Sequence, residues 1–298
     1  MLRSYLLALI AGLQAVAGIN FSTQIFAQQL ESSPQVDEQI AYESRPVAQT
    51  TDVSKVALVD SKQVDYVQDL KSLNITLHPG SDFAKDSVEN PISLQHCASL
   101  VYKTLQLVPQ DVSTKVKDLT LYFNSTGRRG LGGGSTIILR CQNVTDAELV
   151  SVFVHELGHI KDTGVLQGNF WAGESEFRDG QNSIYNDDKS LDFYRLSFVN
   201  EKEIKKDASD LDFVSGYAMS DPFEDFAETF NYYLLHGDDF RQLAANNDVL
   251  AKKYNFMKEN VFAGKEFDFQ SEKDDGLLTT RHYDSTLISY NLDKFLAI

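Results

Sequence analysis

The run "VFVHELGHIKD", residues 152–162, limits the fold of this chain more than any other segment. It sets His155 and His159 four positions apart, with Glu156 directly after the first histidine. Around them stand Val150, Val152, Phe153, Val154, Leu157 and Ile160. That apolar density requires a buried helix, and on a helix residues i and i+4 lie one turn apart on one face. Three polar groups inside a buried helix need partners. Two imidazoles one turn apart can aim nitrogens at a single ion, and imidazole suits tetrahedral Zn²⁺. Glu156 leans past such an ion, where its carboxylate can take a proton from water acidified by the metal. His-Glu-x-x-His is the known pattern for this arrangement. Gly158 carries a cost of about 1 kcal/mol in a helix interior, which points to close backbone packing.

Zinc used in hydrolysis takes a third protein ligand and keeps its fourth position for water. The position six residues past His159 is Val165, which excludes the arrangement with a third histidine there. The remaining candidates are Glu174, Glu176, Glu224, Glu228 and His236. Glu174 and Glu176 lack a helical frame to aim them. His236 precedes Gly237, a place where histidine commonly answers the negative end of a helix. Glu224 and Glu228 stand four apart in "SDPFEDFAETFNYYLLHG", which reads as a helix capped by Asp221, opened by Pro222 and ended at Gly237. Packed antiparallel to the first helix, it can present Glu224 to the two histidines. Glu224 also occupies the third helical position, where a glutamate completes a cap, and it cannot fill both roles. Glu228 suits either a hydrogen-bond acceptor behind a ligating histidine or a solvated carboxylate.

The rest of the chain supplies the frame. Residues 1–27 read as an export signal, with one arginine ahead of "YLLALIAGLQAVAGI" and small residues suited to cleavage; the alternative is an uncleaved N-terminal anchor. Residues 28–59 are polar and weakly periodic, a linker or short pro-region, and 60–298 form the main domain. A net charge of −16 argues against nucleic acid or anionic membrane as the main partner. Cys97 and Cys141 are either a disulfide or two buried thiols. "PISLQHCASLVYKTLQLVP" predicts a helix, and "LTLYFN" and "STIILRC" predict strands joined by the glycine-rich connection "GRRGLGGG". That connection lacks the Gly-Lys-Ser/Thr of a phosphate loop and reads as a hairpin connection between the two strands. "TDAE" at 145–148 predicts a capping box opening the histidine helix, which should end before Gly164. About fifty residues of loop-like composition follow, with a helical patch at "SLDFYRLSF". "DVLAKKYNFMKENVF" predicts another amphipathic helix, and the tail "YDSTLISYNLDKFLAI" is apolar enough to pack back on the domain. The expected fold class is α+β: a small mixed sheet, the histidine helix and a helical C-terminal lobe.

"HELGH" followed far downstream by "SGYAMSDPFEDFAETF" resembles the gluzincin metallopeptidases of the lethal-factor and Pro-Pro endopeptidase type. It resembles the bacterial zinc-binding metallopeptidases more closely still, over residues 91–262. Tyr217 stands seven residues before Glu224, as a tyrosine does in the first group, and Glu228 matches a second family glutamate. The resemblance implies a zincin-like domain in which His155, His159 and Glu224 bind Zn²⁺, Glu156 is the base and Tyr217 hydrogen-bonds the oxyanion. It implies an endopeptidase acting on a peptide or protein substrate, and the export signal at 1–27 makes the expected enzyme secreted or cell-envelope. Two rivals remain: a binding or surface protein whose zinc is structural, and a zinc hydrolase of a non-peptide amide or ester.

Overall fold

The strands form where β-branched and large apolar residues alternate with polar ones. In β2 (Asp118–Tyr122) and β4 (Thr136–Arg140), Leu119, Leu121, Ile137 and Leu139 point to one buried face. With β1 (Thr76–Pro79) and β3 (Gly130–Gly133) they make a four-stranded sheet in the order β1-β2-β4-β3. β1, β2 and β4 run parallel, and β3 pairs antiparallel with β4 at the edge. This corrects the expected hairpin. The two apolar runs are parallel neighbours, and the glycine-rich connection is itself a strand. It turns into β4 through Gly134, whose φ of 59° suits glycine.

In this computed structural model, residues 64–79, 91–123, 127–269 and 277–297 are described. They belong to one compact unit. The expected export signal and the linker at 28–59 lie outside the described residues. A helix α1 (Tyr66–Ser72) precedes β1, and α2 (Pro91–Leu107) follows it. A disulfide joins Cys97 on α2 to Cys141 just past β4, which decides between the two readings of that pair. Among the described residues no helix is long and apolar enough to cross a membrane.

The histidine helix is α3 (Asp146–His159). Only half of the expected capping box forms. Thr145 Oγ1 accepts from Glu148 N at 3.1 Å, but the Glu148 carboxylate turns to Arg129 at 3.3 Å. Past His159 the chain does not stop. It widens into a π-helical turn, Ile160–Val165, with Leu166 N donating to Lys161 O at 2.9 Å. Buried anchors hold it there: Lys161 reaches Asp111 at 2.6 Å, and Tyr194 donates to Asp162 at 2.5 Å.

The long loop-like stretch is folded. It holds the hairpin β5 (Glu174–Asp179) and β6 (Asn182–Tyr185), the helix α4 (Leu191–Ser197) and a short pair, β7 (Phe198–Asn200) with β8 (Glu203–Ile204). The C-terminal lobe contains α5 (Pro222–Leu235), α6 (Gly237–Asn246) and α7 (Asp248–Phe256), with α8 (Leu292–Leu296) in the tail. Gly237 does not terminate α5 in a left-handed cap. It opens α6, with Asp238 and Asp239 following in the first turn, where negative charge suits the helix dipole.

The core lies between α3 and α5. Val150, Phe153, Val154 and Leu157 from the first and Phe226, Phe230 and Leu234 from the second belong to one core cluster, all fully buried. Burial of each such side chain is worth about 1.5–3 kcal/mol. A Cβ on Gly158 would come within 2.8 Å of Ala227 Cα, so the two helices can approach this closely only with glycine there. Asn231 crosses the interface to Ser151 O at 2.8 Å and fixes the register.

Candidate metal centre

α3 and α5 carry the candidate donors to one point. The Oε2 of Glu224 lies 3.2 Å from His155 Nε2 and 3.5 Å from His159 Nε2. One ligand atom from each of the three residues lies within 4.8 Å of the others. Glu224 Oε2 is buried and has no hydrogen-bond partner. An anionic oxygen left this way costs folding free energy unless something cationic meets it. Two imidazole nitrogens and one carboxylate oxygen are a donor set that zinc takes, so the residues present fit the ion.

The capping conflict at Glu224 is settled by Asp221. Asp221 Oδ1 accepts from Phe223 N and Glu224 N, both at 2.9 Å, so the backbone of Glu224 is capped while its side chain turns to the histidines. Burial opposes ionisation of Glu224, but the positive charges of His159 and His155 outweigh it and hold the carboxyl well below its ordinary range. Burial pushes the Asp221 carboxyl up to about 6, and the neighbouring Glu224 charge adds to the rise.

Glu228 is fully buried rather than solvated. Its Oε1 lies 2.9 Å from His155 Nδ1, an ion-pair contact, and its Oε2 accepts from Ser215 Oγ at 2.5 Å and Ser285 N at 2.8 Å. Burial disfavours a charged His155, yet its contacts with Glu224 and Glu228 raise it well above the ordinary imidazole value. Tyr217 OH donates to Glu224 Oε1 at 3.2 Å, which puts the phenol at the rim of the centre. Burial and the Glu224 charge raise this phenol far above its usual range, so it stays a proton donor.

Glu156 stands apart from the three donors. It is 5 % exposed, and β3 presses on it. A Cβ on Gly130 would come within 2.3 Å of Glu156 Oε1, and one on Gly132 within 2.9 Å of Oε2. The bare strand is what makes room for the carboxylate. Burial raises the Glu156 pKa, and the charges of His155 and His159 pull it partly back. A buried carboxyl with a raised pKa beside two imidazoles is suited to accepting and returning a proton near neutrality.

The other candidates lie elsewhere. Glu174 pairs with Arg178 at 2.5 Å, and Glu176 with Arg195 at 2.7 Å, both on β5. His236 is fully buried, and neither ring nitrogen has a hydrogen-bond partner. Burial pushes it down to about 3, so it is neutral and does not answer the helix end as a cation. Sequence reasoning missed Gly130, Gly132, Ser215, Ser285 and Arg129. Arg129 bonds Asp284 and donates to Thr286 Oγ1 at 2.8 Å, pinning the run that brings Ser285 to Glu228. Asp162, three residues past His159, is also buried, and burial pushes it up to about 8.

No curated protein and no solved structure matches the chain. A family model described as "Putative zinc-binding metallo-peptidase" matches residues 146–286, a little under half of the 298. The match opens at the first residue of α3 and takes in every donor, Glu156, Tyr217, Glu228 and Ser285. The chain is thus similar to zinc-binding metallopeptidases over the segment that builds the centre, where His155, His159 and Glu224 form a group that could hold a metal ion.

Proposed function

We propose that this protein is an exported zinc endopeptidase of the gluzincin type, with a zincin-like domain and with His155, His159 and Glu224 as ligands. The observation that carries the reading is Glu156, a buried carboxylate beside the three donors that is not one of them. A structural zinc site has four protein ligands and no need of a base, whereas among the described residues the group here has three. When bound, zinc supplies Lewis acidity that polarises a carbonyl and acidifies water. Glu156 takes the proton of the attacking water on its carboxylate and returns it to the leaving amine. Tyr217 turns its hydroxyl proton from Glu224 Oε1 to the carbonyl oxygen as charge develops there. Asp221 and Glu228 hold Glu224 and His155 at fixed angles throughout.

The outer edge of β3 closes the sheet next to Glu156, and an extended peptide can add to it as a further strand. The Cys97–Cys141 disulfide agrees with an oxidising compartment, and so with export by residues 1–27 and a secreted or cell-envelope location. The test is a peptide-library digest with and without chelator, run beside Glu156→Gln. The variant should retain its zinc and lose hydrolysis by at least about a hundredfold. Wild-type rates from purified Glu156→Gln would remove Glu156 from the mechanism.

A further inference from the structure

Tyr283 combines a fixed backbone with an open ring. Its carbonyl accepts from Tyr217 N at 2.6 Å, and the carbonyl of His282 accepts from Gly216 N at 2.9 Å. On its other side Asp284 is held by Arg129, with Asp284 Oδ1 accepting from Thr286 N at 2.8 Å. Ser285 N then donates to Glu228. The residue is therefore clamped between the Tyr217 side of the centre and the Glu228 side. Its ring centroid is 6.1 Å from that of Tyr217, which lies 6.2 Å from that of His155. One ring edge rests on Gly216, where a Cβ would come within 3.0 Å of Tyr283 Cδ2. The residue is nevertheless 70 % exposed.

Folding alone gives no reason to clamp the backbone beneath a large ring and leave the ring in water. An aromatic ring on a fixed backbone offers a large contact area through only two side-chain torsions, the property of binding hot spots. We propose that Tyr283 is a specificity-determining residue that lines the substrate cleft beside Tyr217 and selects a large apolar side chain flanking the scissile bond. The proposal rests on the peptidase reading for its substrate class. Acidic side chains are disfavoured there, because Glu156, Asp221 and Glu224 crowd the centre and the whole chain carries a charge of −16.

The experiment uses full-length, zinc-loaded Glu156→Gln protein and fluorescent Gly/Ser-rich peptides whose central pair is Phe, Leu, Ala, Asp or Lys. Binding is read by anisotropy, with zinc content measured in parallel. The Phe and Leu peptides should bind at least about tenfold tighter than the Ala peptide. Adding Tyr283→Ala should abolish that preference without changing zinc content or Ala-peptide binding, and Tyr283→Phe should keep it. Equal weakening of every peptide, no weakening, a preference for Lys, or no binding at all overturns the proposal. Cleavage of the same peptides by the unsubstituted protein is scored separately. Tyr283-dependent binding without cleavage fails the peptidase reading alone, and cleavage with binding indifferent to Tyr283 fails this inference alone.

Discussion

Glu228 shows how a residue without substrate contact can govern the centre. Its carboxylate accepts two hydrogen bonds on Oε2 and meets His155 Nδ1 with Oε1. Glu228→Gln should therefore lower zinc affinity by about 10–100-fold, read by chelator competition, while the fold survives. His236 gives a pH test that does not involve the centre. Burial holds it down to about 3 against an ordinary 6.5. As pH falls from 6.5 toward 3, the unfolded chain takes up a proton that the folded chain refuses. Stability then drops with falling pH, by up to about 1.4 kcal/mol per unit. Urea midpoints at pH 7 and pH 5 should converge in His236→Phe relative to wild type. At this scale the sequence was legible where contacts are local. His155, Glu156 and His159 share one turn of helix, so their spacing alone declared them. Tyr217 emerged only by resemblance. Gly130 and Gly132 meet Glu156 across a strand-to-helix contact that no local pattern encodes.

Among the elements, β3 departs furthest from expectation. Glycine has poor strand propensity, so "GLGG" reads as a loop, yet pairing with β4 and the carboxylate beneath it make a side-chain-free strand the one that fits. Gly132→Ala should push against Glu156, keep zinc, and cut turnover by about a hundredfold, since small misplacements of a reacting group are that costly. Full activity in zinc-replete Gly132→Ala would show that the strand does not seat Glu156 for the proposed reaction. The α3 and α5 helices were legible from their caps and apolar faces. The π-helical turn was not, because it is held by Asp111 and Tyr194, distant in sequence. α6 was missed because its buried face rests on few residues, among them Phe240 and Leu243, in an otherwise polar run.

For the molecule as a whole, the α+β class and the helical C-terminal lobe followed from the order of patterns. The parallel pairing of β2 with β4 did not, since a glycine-rich connection of that length favours a hairpin reading. The Cys97–Cys141 bond closes a loop of sequence separation 44 and ties α2 to the end of the sheet. Replacing both cysteines by serine should cost about 2–4 kcal/mol, measured by denaturant unfolding, with the zinc site still formed at room temperature.

The amide that steadies Glu228 belongs to Ser285, far beyond the histidines in order of synthesis. A nascent chain that has not yet been translated past that point has both imidazoles but lacks the donor behind the carboxylate that meets His155. The centre can take its final form only once the ribosome has passed Ser285, so the two histidines wait on a segment made long after them.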